Sequence, residues 1–147
     1  MREGNGGALG SPEVLAGIRQ TLIEEPSITF AFLFGSRAGG RPRADSDWDV
    51  GVDFDPTLPR EGRARRRLEL TGRLEEWGPI DLVPINDADP LLAHRVLGGQ
   101  ALFIKDESRY REVFMRTMRL AEDQRYFDRI FRQARTRRLA EGEFGRR

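Results

Sequence analysis

The first part of the chain changes from a helical to a strand-like pattern of apolar residues. After a Ser-Pro pair at 11–12, apolar residues recur at helical spacing: Val14, Leu15, Ile18 and Leu22. This pattern predicts a helix over about 12–24 that begins on the proline and ends before Pro26. Residues 28–34 (ITFAFLF) are almost entirely apolar, which is typical of a strand that is buried on both faces.

Residues 48–54 (WDVGVDF) alternate between apolar and polar side chains. Successive side chains of a strand point to opposite faces. The apolar face carries Trp48, Val50, Val52 and Phe54. The other face carries Asp47, Asp49, Gly51 and Asp53. We therefore predict a strand with one packed face and one acidic face.

The remaining pattern predicts three helices and two strands. Leu70, Leu74 and Trp77 place a helix over 60–77, and Ile80 to Ile85 reads as a short strand. A short helix begins at Asp89-Pro90, and a further strand covers 101–105. Residues 106–138 contain no proline or glycine and predict one long helix. Strands that alternate with helices indicate an α/β or α+β fold.

Composition bounds the class of protein. The 147 residues suffice for one compact domain, and we expect flexible ends at 1–10 and 139–147. A formal net charge of +1 excludes a strongly basic protein that coats nucleic acid. The absence of cysteine and the single histidine, His94, exclude disulfides, thiolate sites and histidine-rich zinc sites. Without a signal-type N-terminus or a long apolar run, we expect a cytoplasmic protein with no membrane partner.

The candidate chemistry lies where the buried strand ends. Gly35-Ser36 follows it directly, and ten residues separate Ser36 from Asp47. A glycine allows a tight turn and a close approach of the backbone to a ligand. Backbone N–H groups and a hydroxyl at such a turn can hold phosphate oxygens.

Three aspartates supply the second half of the candidate site. Asp47 and Asp49 are two residues apart and project from one face of their strand, and Asp81 lies on another predicted strand. Carboxylates held this close repel one another unless a cation or a proton joins them. Mg²⁺ takes both carboxylate and phosphate oxygens, and two such ions, about 3.5–4 Å apart, would activate a hydroxyl and steady a leaving pyrophosphate.

The spacing Gly35-Ser36, ten residues, Asp47-Trp48-Asp49 resembles the Gly-Ser-x10-Asp-x-Asp signature of the DNA polymerase β-like nucleotidyltransferases. The longer stretch GSRAGGRPRADSDWDVGVDF is similar to the minimal nucleotidyltransferases in particular. IDLVPIN resembles the strand that carries their third carboxylate, and HRVLGGQALFIKD resembles the strand that closes their core. The resemblance covers roughly residues 12–105. The C-terminal helix is similar to that of nucleotidyltransferase antitoxins paired with HEPN-type toxins.

The resemblance implies a polymerase β-like core at 11–105 with a small mixed sheet flanked by helices. It also implies that the long C-terminal helix, 106–138, packs on this core and on a partner. The implied reaction transfers AMP from ATP to a tyrosine hydroxyl of a cognate HEPN ribonuclease toxin, and repeated transfer would build a short AMP chain.

The same resemblance implies roles for the site residues. Gly35 and Ser36 would hold the triphosphate, and Asp47 and Asp49 would bind two Mg²⁺ ions. Asp81 would bind the catalytic ion and take the proton of the acceptor hydroxyl.

Several other residues have predicted places. Arg37, Arg41 and Arg43 lie in the loop after Ser36, where arginines can neutralise phosphates, touch an acceptor or simply form a solvated basic loop. Of the three, we expect Arg37 to contact nucleotide phosphates because it is nearest to Ser36. We expect Asp53 to be a rim residue of the acidic face.

The other notable side chains have structural explanations. The basic cluster is expected to be a solvated helix face without direct nucleic-acid binding: Arg60, Arg63, Arg65, Arg66 and Arg67. His94 is expected to be a partly buried helix residue, and Trp48 and Trp77 to be core residues. An apolar stripe on the last helix extends beyond what a small sheet can cover, which favours a partner protein.

Two alternative functions stay open from the sequence. The same fold could neutralise a toxin by binding alone, with catalysis secondary. It could also transfer nucleotides to a small molecule or to an RNA end, although a chain of 147 residues leaves little length for a separate acceptor domain.

Overall fold

The structure is a computed structural model that describes residues 11–39 and 47–140. Segments 1–10 and 141–147, which carry most of the predicted flexible ends, lie outside the described residues, as do Arg41 and Arg43. Residues 139–140, predicted as part of the flexible end, are helical instead.

The order of the elements follows the predicted order. The helices and strands are α1 (Ser11–Ile23), β1 (Ile28–Phe34), β2 (Trp48–Phe54), α2 (Arg60–Leu74), β3 (Ile80–Pro84), α3 (Pro90–Leu97), β4 (Gln100–Ile104) and α4 (Glu107–Ala140). Short 3-10 turns follow β1, α2 and β3. The predicted bounds of β1 and β2 match these, and the other predicted bounds differ by at most three residues, as expected for helix and strand ends.

The four strands form one mixed sheet in the order β3-β2-β1-β4. β1 is antiparallel to both of its neighbours, whereas β2 and β3 are parallel. All seven residues of β1 are buried, which confirms the prediction of a strand covered on both faces. The mixed sheet with flanking helices confirms the predicted fold class.

Each face of the sheet has its own hydrophobic core. On one face, the apolar side chains of β2 pack against α1 and α2, including Ile18, Leu22 and Leu70. On the other face, Phe30 and Phe32 of β1 pack against α3 and the first part of α4. The position of Gly51 allows α3 to lie close to the sheet, because a Cβ there would come within 2.3 Å of the Val96 side chain.

Asp53 departs from its prediction. It is completely buried, and Arg109 of α4 donates two hydrogen bonds to its carboxylate at 2.8 and 2.9 Å. The Thr29 hydroxyl donates a third. The prediction of a rim residue was wrong because α4 covers this end of β2 and supplies the opposite charge. Only the end of β2 that carries Asp49 keeps an accessible acidic face.

Helix α4 has 34 residues and is therefore about 51 Å long at about 1.5 Å per residue. Its first half packs on the core through Val113, Thr117 and Ala121. Beyond this part the side chains are mostly exposed, including four large apolar ones that we name the distal stripe: Tyr126, Phe127, Ile130 and Phe131. Among the described residues, no helix combines the length and apolar character that a membrane span requires.

Candidate active site

The turn after β1 brings backbone and carboxylate together. Gly35 has φ +77°, a left-handed conformation that L side chains rarely adopt. A Cβ at this position would lie 2.2 Å from Oδ2 of Asp49. Two separate requirements, backbone conformation and space, therefore fix a glycine here. The Gly-Ser turn and the Asp-x-Asp strand meet as the sequence predicted.

Asp49 and Asp81 are direct neighbours across parallel strands β2 and β3. Residues paired in register point to the same face of a sheet, so both carboxylates project from the side that faces α3. On the other side of β2, Asp49 is opposite Phe34, the last residue of β1. Asp81, Asp49 and the Gly35 turn thus form one row across the end of the sheet, which we name the carboxylate row.

The charges along this row act on one another. The pKa of Asp49 is raised, first by its partial burial and then by the negative charges of Asp81 and Asp47, whereas Arg95 opposes the shift. Asp47 is exposed, immediately before β2. Asp47 and Asp81 therefore both act on Asp49, and a bound cation would relieve this repulsion.

The donor chemistry fits Mg²⁺, which binds carboxylate oxygens and substrate phosphates. Within residues 11–39 and 47–140, however, no group of three or more acidic, histidine or cysteine side chains lies at metal-ligating spacing. Arg67 forms a long ion pair with Asp81, with its Nη2 3.9 Å from Oδ1 of that aspartate. Ligation by all three carboxylates would require their side chains to turn inward.

The two other residues of the predicted nucleotide site lie on the turn itself. Ser36 is exposed, and the guanidinium of Arg37 lies over the ring of Trp48, 4.4 Å from its centroid. Stacking on a buried indole holds Arg37 beside the turn. Their contacts with a nucleotide stay predictions.

A cavity of about 300 Å³ opens beside the Gly35 turn. It is lined by the turn, by Arg95 in the last turn of α3 and by the Gly98-Gly99 pair that leads into β4. Arg95 was not among the site residues predicted from the sequence. The available signal was an arginine immediately before the Gly-Gly that ends a helix, in a segment already matched to the family.

A second cleft of about 410 Å³ lies at the other end of the carboxylate row. We name it the β3-edge cleft, and its walls include Asp81 together with Arg60 and Arg67 of α2. The carboxylate row thus lies between two cavities, one on the β1–β4 side and one at the β3 edge.

The basic cluster of α2 is only partly the solvated face that we predicted. Arg65 is exposed, but Arg63 donates two hydrogen bonds to Asp87 at 2.6 and 2.9 Å. Arg67 donates to the carbonyl of Leu82 at 2.8 Å. The prediction was wrong for Arg63 because α2 lies along the β3 edge, where Asp87 and the carbonyl of Leu58 accept from it, whereas the Arg67 side chain stays half-exposed.

The aromatic and histidine residues lie where predicted. Trp48 is buried, and Trp77 is half-buried against the same core. His94 is half-buried on α3, with its Nδ1 3.2 Å from Nη2 of Arg125. Arg125 thereby joins α4 to α3, and His94 lies outside the carboxylate row.

Comparison with known proteins agrees with this geometry. Residues 17–108 match the family described as "Polymerase beta, Nucleotidyltransferase". The protein adenylyltransferase MntA of Aphanizomenon flos-aquae (strain 2012/KM1/D3) is 33% identical over 91 residues, which cover 56% of this chain and 61% of that protein. The chain thus spans about three-fifths of the length of this relative.

Solved structures share the fold. A toxin–antitoxin crystal structure with AMP-PNP is 21% identical at a TM-score of 0.57, covering 83% of this chain and 99% of the other. A complex of a tri-AMPylated Shewanella oneidensis HEPN toxin with its MNT antitoxin is 20% identical at a TM-score of 0.53, covering 80% of this chain and 98% of the other.

Proposed function

Because the chain belongs to the polymerase beta nucleotidyltransferase family, we propose that it is a Mg²⁺-dependent antitoxin that transfers AMP from ATP to a tyrosine hydroxyl of a HEPN-type ribonuclease toxin. The transfer would neutralise the toxin. The catalytic part of this proposal is supported by the pairing of Asp49 with Asp81 across β2 and β3. This pair lies beside a turn that requires a glycine.

The proposed chemistry is a single displacement. The hydroxyl oxygen of the acceptor attacks the α-phosphorus of ATP, the bond from this phosphorus to the bridging oxygen breaks, and pyrophosphate leaves. The hydroxyl proton passes to the Asp81 carboxylate. Asp47, Asp49 and Asp81 would hold Mg²⁺, which supplies positive charge at the attacking and leaving oxygens.

The nucleotide is assigned to the cavity beside Gly35. Gly35 and Arg95 line this cavity, and the guanidinium group of Arg95 suits phosphate oxygens. Ser36 and Arg37 follow Gly35 on the same turn without lining the cavity, and Arg37 stacks on Trp48. Arg95 is exposed and its charge acts on Asp49 without a hydrogen bond to it, so its donor groups are available to a phosphate.

The partner is assigned to the distal stripe of α4. Tyr126, Phe127 and Phe131 are 52%, 56% and 65% exposed, and a contiguous exposed apolar surface marks an interaction site in many soluble proteins. The relative named MntA is an adenylyltransferase, and a structural neighbour is bound to a HEPN toxin that carries AMP. Both support a toxin of this type as the partner.

The catalytic proposal is tested with the variant Asp47→Asn/Asp49→Asn. Transfer of label from α-labelled ATP to a co-expressed HEPN-type toxin should disappear, because two of the three carboxylates are lost. Asp55→Asn is the matched control, since Asp55 lies beyond the opposite end of β2 and its carboxylate is engaged by Thr57. Undiminished transfer by the double variant would remove the catalytic assignment.

The interface is tested with Phe127→Ser/Phe131→Ser. Both side chains are largely exposed, so the fold and ATP binding should persist while toxin binding in a pull-down falls at least tenfold, as expected for two apolar anchors. Met115→Ser changes an equally exposed apolar residue of α4 outside the stripe and serves as the control. Full toxin affinity in the double variant would exclude the stripe as the interface.

Neutralisation by binding alone is the second candidate, and the distal stripe favours it because this surface is separate from the carboxylate row. Under that mechanism, Asp47→Asn/Asp49→Asn would still protect cells from the toxin. Loss of both transfer and protection in this variant supports modification as the mechanism. Transfer to a small molecule or an RNA end would instead leave the toxin unlabelled.

A further inference from the structure

We propose that the β3-edge cleft is an acceptor subsite that binds an AMP group already attached to the acceptor, with Arg60 and Arg67 holding its phosphodiester. This inference rests on the proposed function and deepens it. It assigns a structural basis for the addition of a second AMP to the first.

The position of the cleft favours its use by the acceptor. Across the end of the sheet, the order is β3-edge cleft, Asp81, Asp49, Gly35 turn and nucleotide cavity. A displacement at phosphorus requires the attacking and leaving oxygens on opposite sides. With the nucleotide in the cavity beside Gly35, the attacking hydroxyl approaches from the Asp81 side, where the cleft opens.

The size and the lining residues of the cleft suit an AMP group. Its volume of about 410 Å³ lies within the range of about 300–1,000 Å³ that is usual for small-ligand sites. Arg60 and Arg67 line it together with Asp81, and Val83, Pro84 and Leu92 give it an apolar wall. A phosphodiester joined to a nucleoside matches this combination, since the anion meets guanidinium groups and the base meets apolar side chains.

The charged side chains of the cleft differ in whether they already have a partner. Asp87, the other acidic residue of the cleft, is engaged by the two hydrogen bonds from Arg63. Arg67 donates its Nε to the carbonyl of Leu82, and its Nη2 forms a long ion pair with Asp81 at 3.9 Å, beyond hydrogen-bond distance. Arg60 forms no hydrogen bond with a described residue and interacts with Asp87 only through its charge. The cleft therefore keeps donor groups for an anion.

The second transfer balances in the same way as the first. A ribose hydroxyl of the bound AMP attacks the α-phosphorus of a new ATP, the bond to the bridging oxygen breaks, and pyrophosphate leaves. The proton passes to Asp81. An unmodified tyrosine has no phosphodiester for the arginines, so they should discriminate between a modified and an unmodified acceptor.

The test measures binding, and no transfer is needed. The probes are a fluorescent tyrosine peptide and the same peptide with an O-adenylylated tyrosine, titrated in Mg²⁺ and AMP-PNP with the full chain. The wild type should bind the adenylylated peptide about tenfold more tightly or better, as expected for hydrogen bonds between charged groups. Arg60→Ala and Arg60→Ala/Arg67→Ala should reduce this preference towards one, whereas Arg65→Ala, on the exposed side of the same helix, should keep it.

Equal affinity for the two peptides, including no measurable binding of either, would overturn the subsite. So would a loss of preference in Arg65→Ala as large as that in Arg60→Ala, because the effect would then be one of general charge. Arg60 is exposed, and its replacement leaves the fold intact even if Arg67→Ala disturbs the β3 edge. If the protein transfers one AMP but does not prefer the adenylylated peptide, only the proposed subsite is contradicted. If it prefers the adenylylated peptide but never transfers AMP, only the proposed function is contradicted.

Discussion

Replacing Asp49 with asparagine should make the metal-free protein more stable while weakening its response to Mg²⁺. Asp49 is half-buried and directly opposite Asp81, and its pKa is raised by burial first and by the charges of Asp81 and Asp47 next. The ionised carboxylate is therefore disfavoured in the folded state. Asparagine removes the charge with little change in size.

The size of the effect follows from the cross-strand pair. Like charges directly opposite each other on adjacent strands cost about 0.2–1 kcal/mol. For a chain of this length, 1 kcal/mol changes Tm by about 2–4 °C, so Asp49→Asn should raise Tm by about 0.4–4 °C without metal. Mg²⁺ at ten times its Kd should stabilise the wild type by about 1.4 kcal/mol, and the variant by less.

The pH dependence has a definite sign. Because the folded-state pKa of Asp49 is raised, its ionisation destabilises the protein at neutral pH, and this penalty vanishes once the pH is below the unfolded value of about 3.9. The advantage of asparagine should therefore shrink as the pH falls. Asp55→Asn should behave in the opposite way, since hydrogen bonds from Thr57 lower the pKa of Asp55 and its charge stabilises the fold at neutral pH.

Thermal unfolding followed by circular dichroism tests these statements at pH 7 and pH 4.5, in EDTA and in Mg²⁺. An Asp49→Asn variant that is less stable than the wild type in EDTA at pH 7 would contradict the repulsion. A variant that keeps the full Mg²⁺ stabilisation would contradict the assignment of Asp49 as a ligand.

Three further variants test other parts of the structure. Gly35→Ala should cost about 1–2 kcal/mol in urea unfolding from its left-handed backbone alone and should abolish label transfer; unchanged transfer would contradict the described turn. Arg95→Ala should lower kcat/KM for ATP about tenfold or more in steady-state assays, while the exposed Arg111→Ala leaves it unchanged; equal values for both variants would remove Arg95 from the nucleotide site. Arg109→Met leaves the buried Asp53 unpaired and should cost about 3–5 kcal/mol in urea unfolding, and a cost below 1 kcal/mol would contradict the buried ion pair.

The sequence predicted the elements well because each pattern is local. The apolar run 28–34 is β1 to the residue, and the alternation over 48–54 is β2. The burial of Asp53 was not predictable in this way. Its partner Arg109 is 56 residues away, and nothing in the alternation of β2 shows that a later helix covers one end of the strand and not the other.

The same distinction separates the two halves of the candidate site. Gly35, Asp47 and Asp49 lie on a turn and a strand that are adjacent both in the chain and in the sheet, so their spacing alone predicts that they meet. Arg95 and Arg67 come into place only because β4 lies beside β1, β3 beside β2, and the helices attached to these outer strands lie against the ends of the carboxylate row. The residues assigned to the reacting phosphate are thus encoded by a short motif. The positions of the residues assigned to the nucleotide and to the acceptor depend on the order of the strands. We therefore expect related chains with the same motif to differ in the acceptor that they bind when the sequences of α2 and α3 differ.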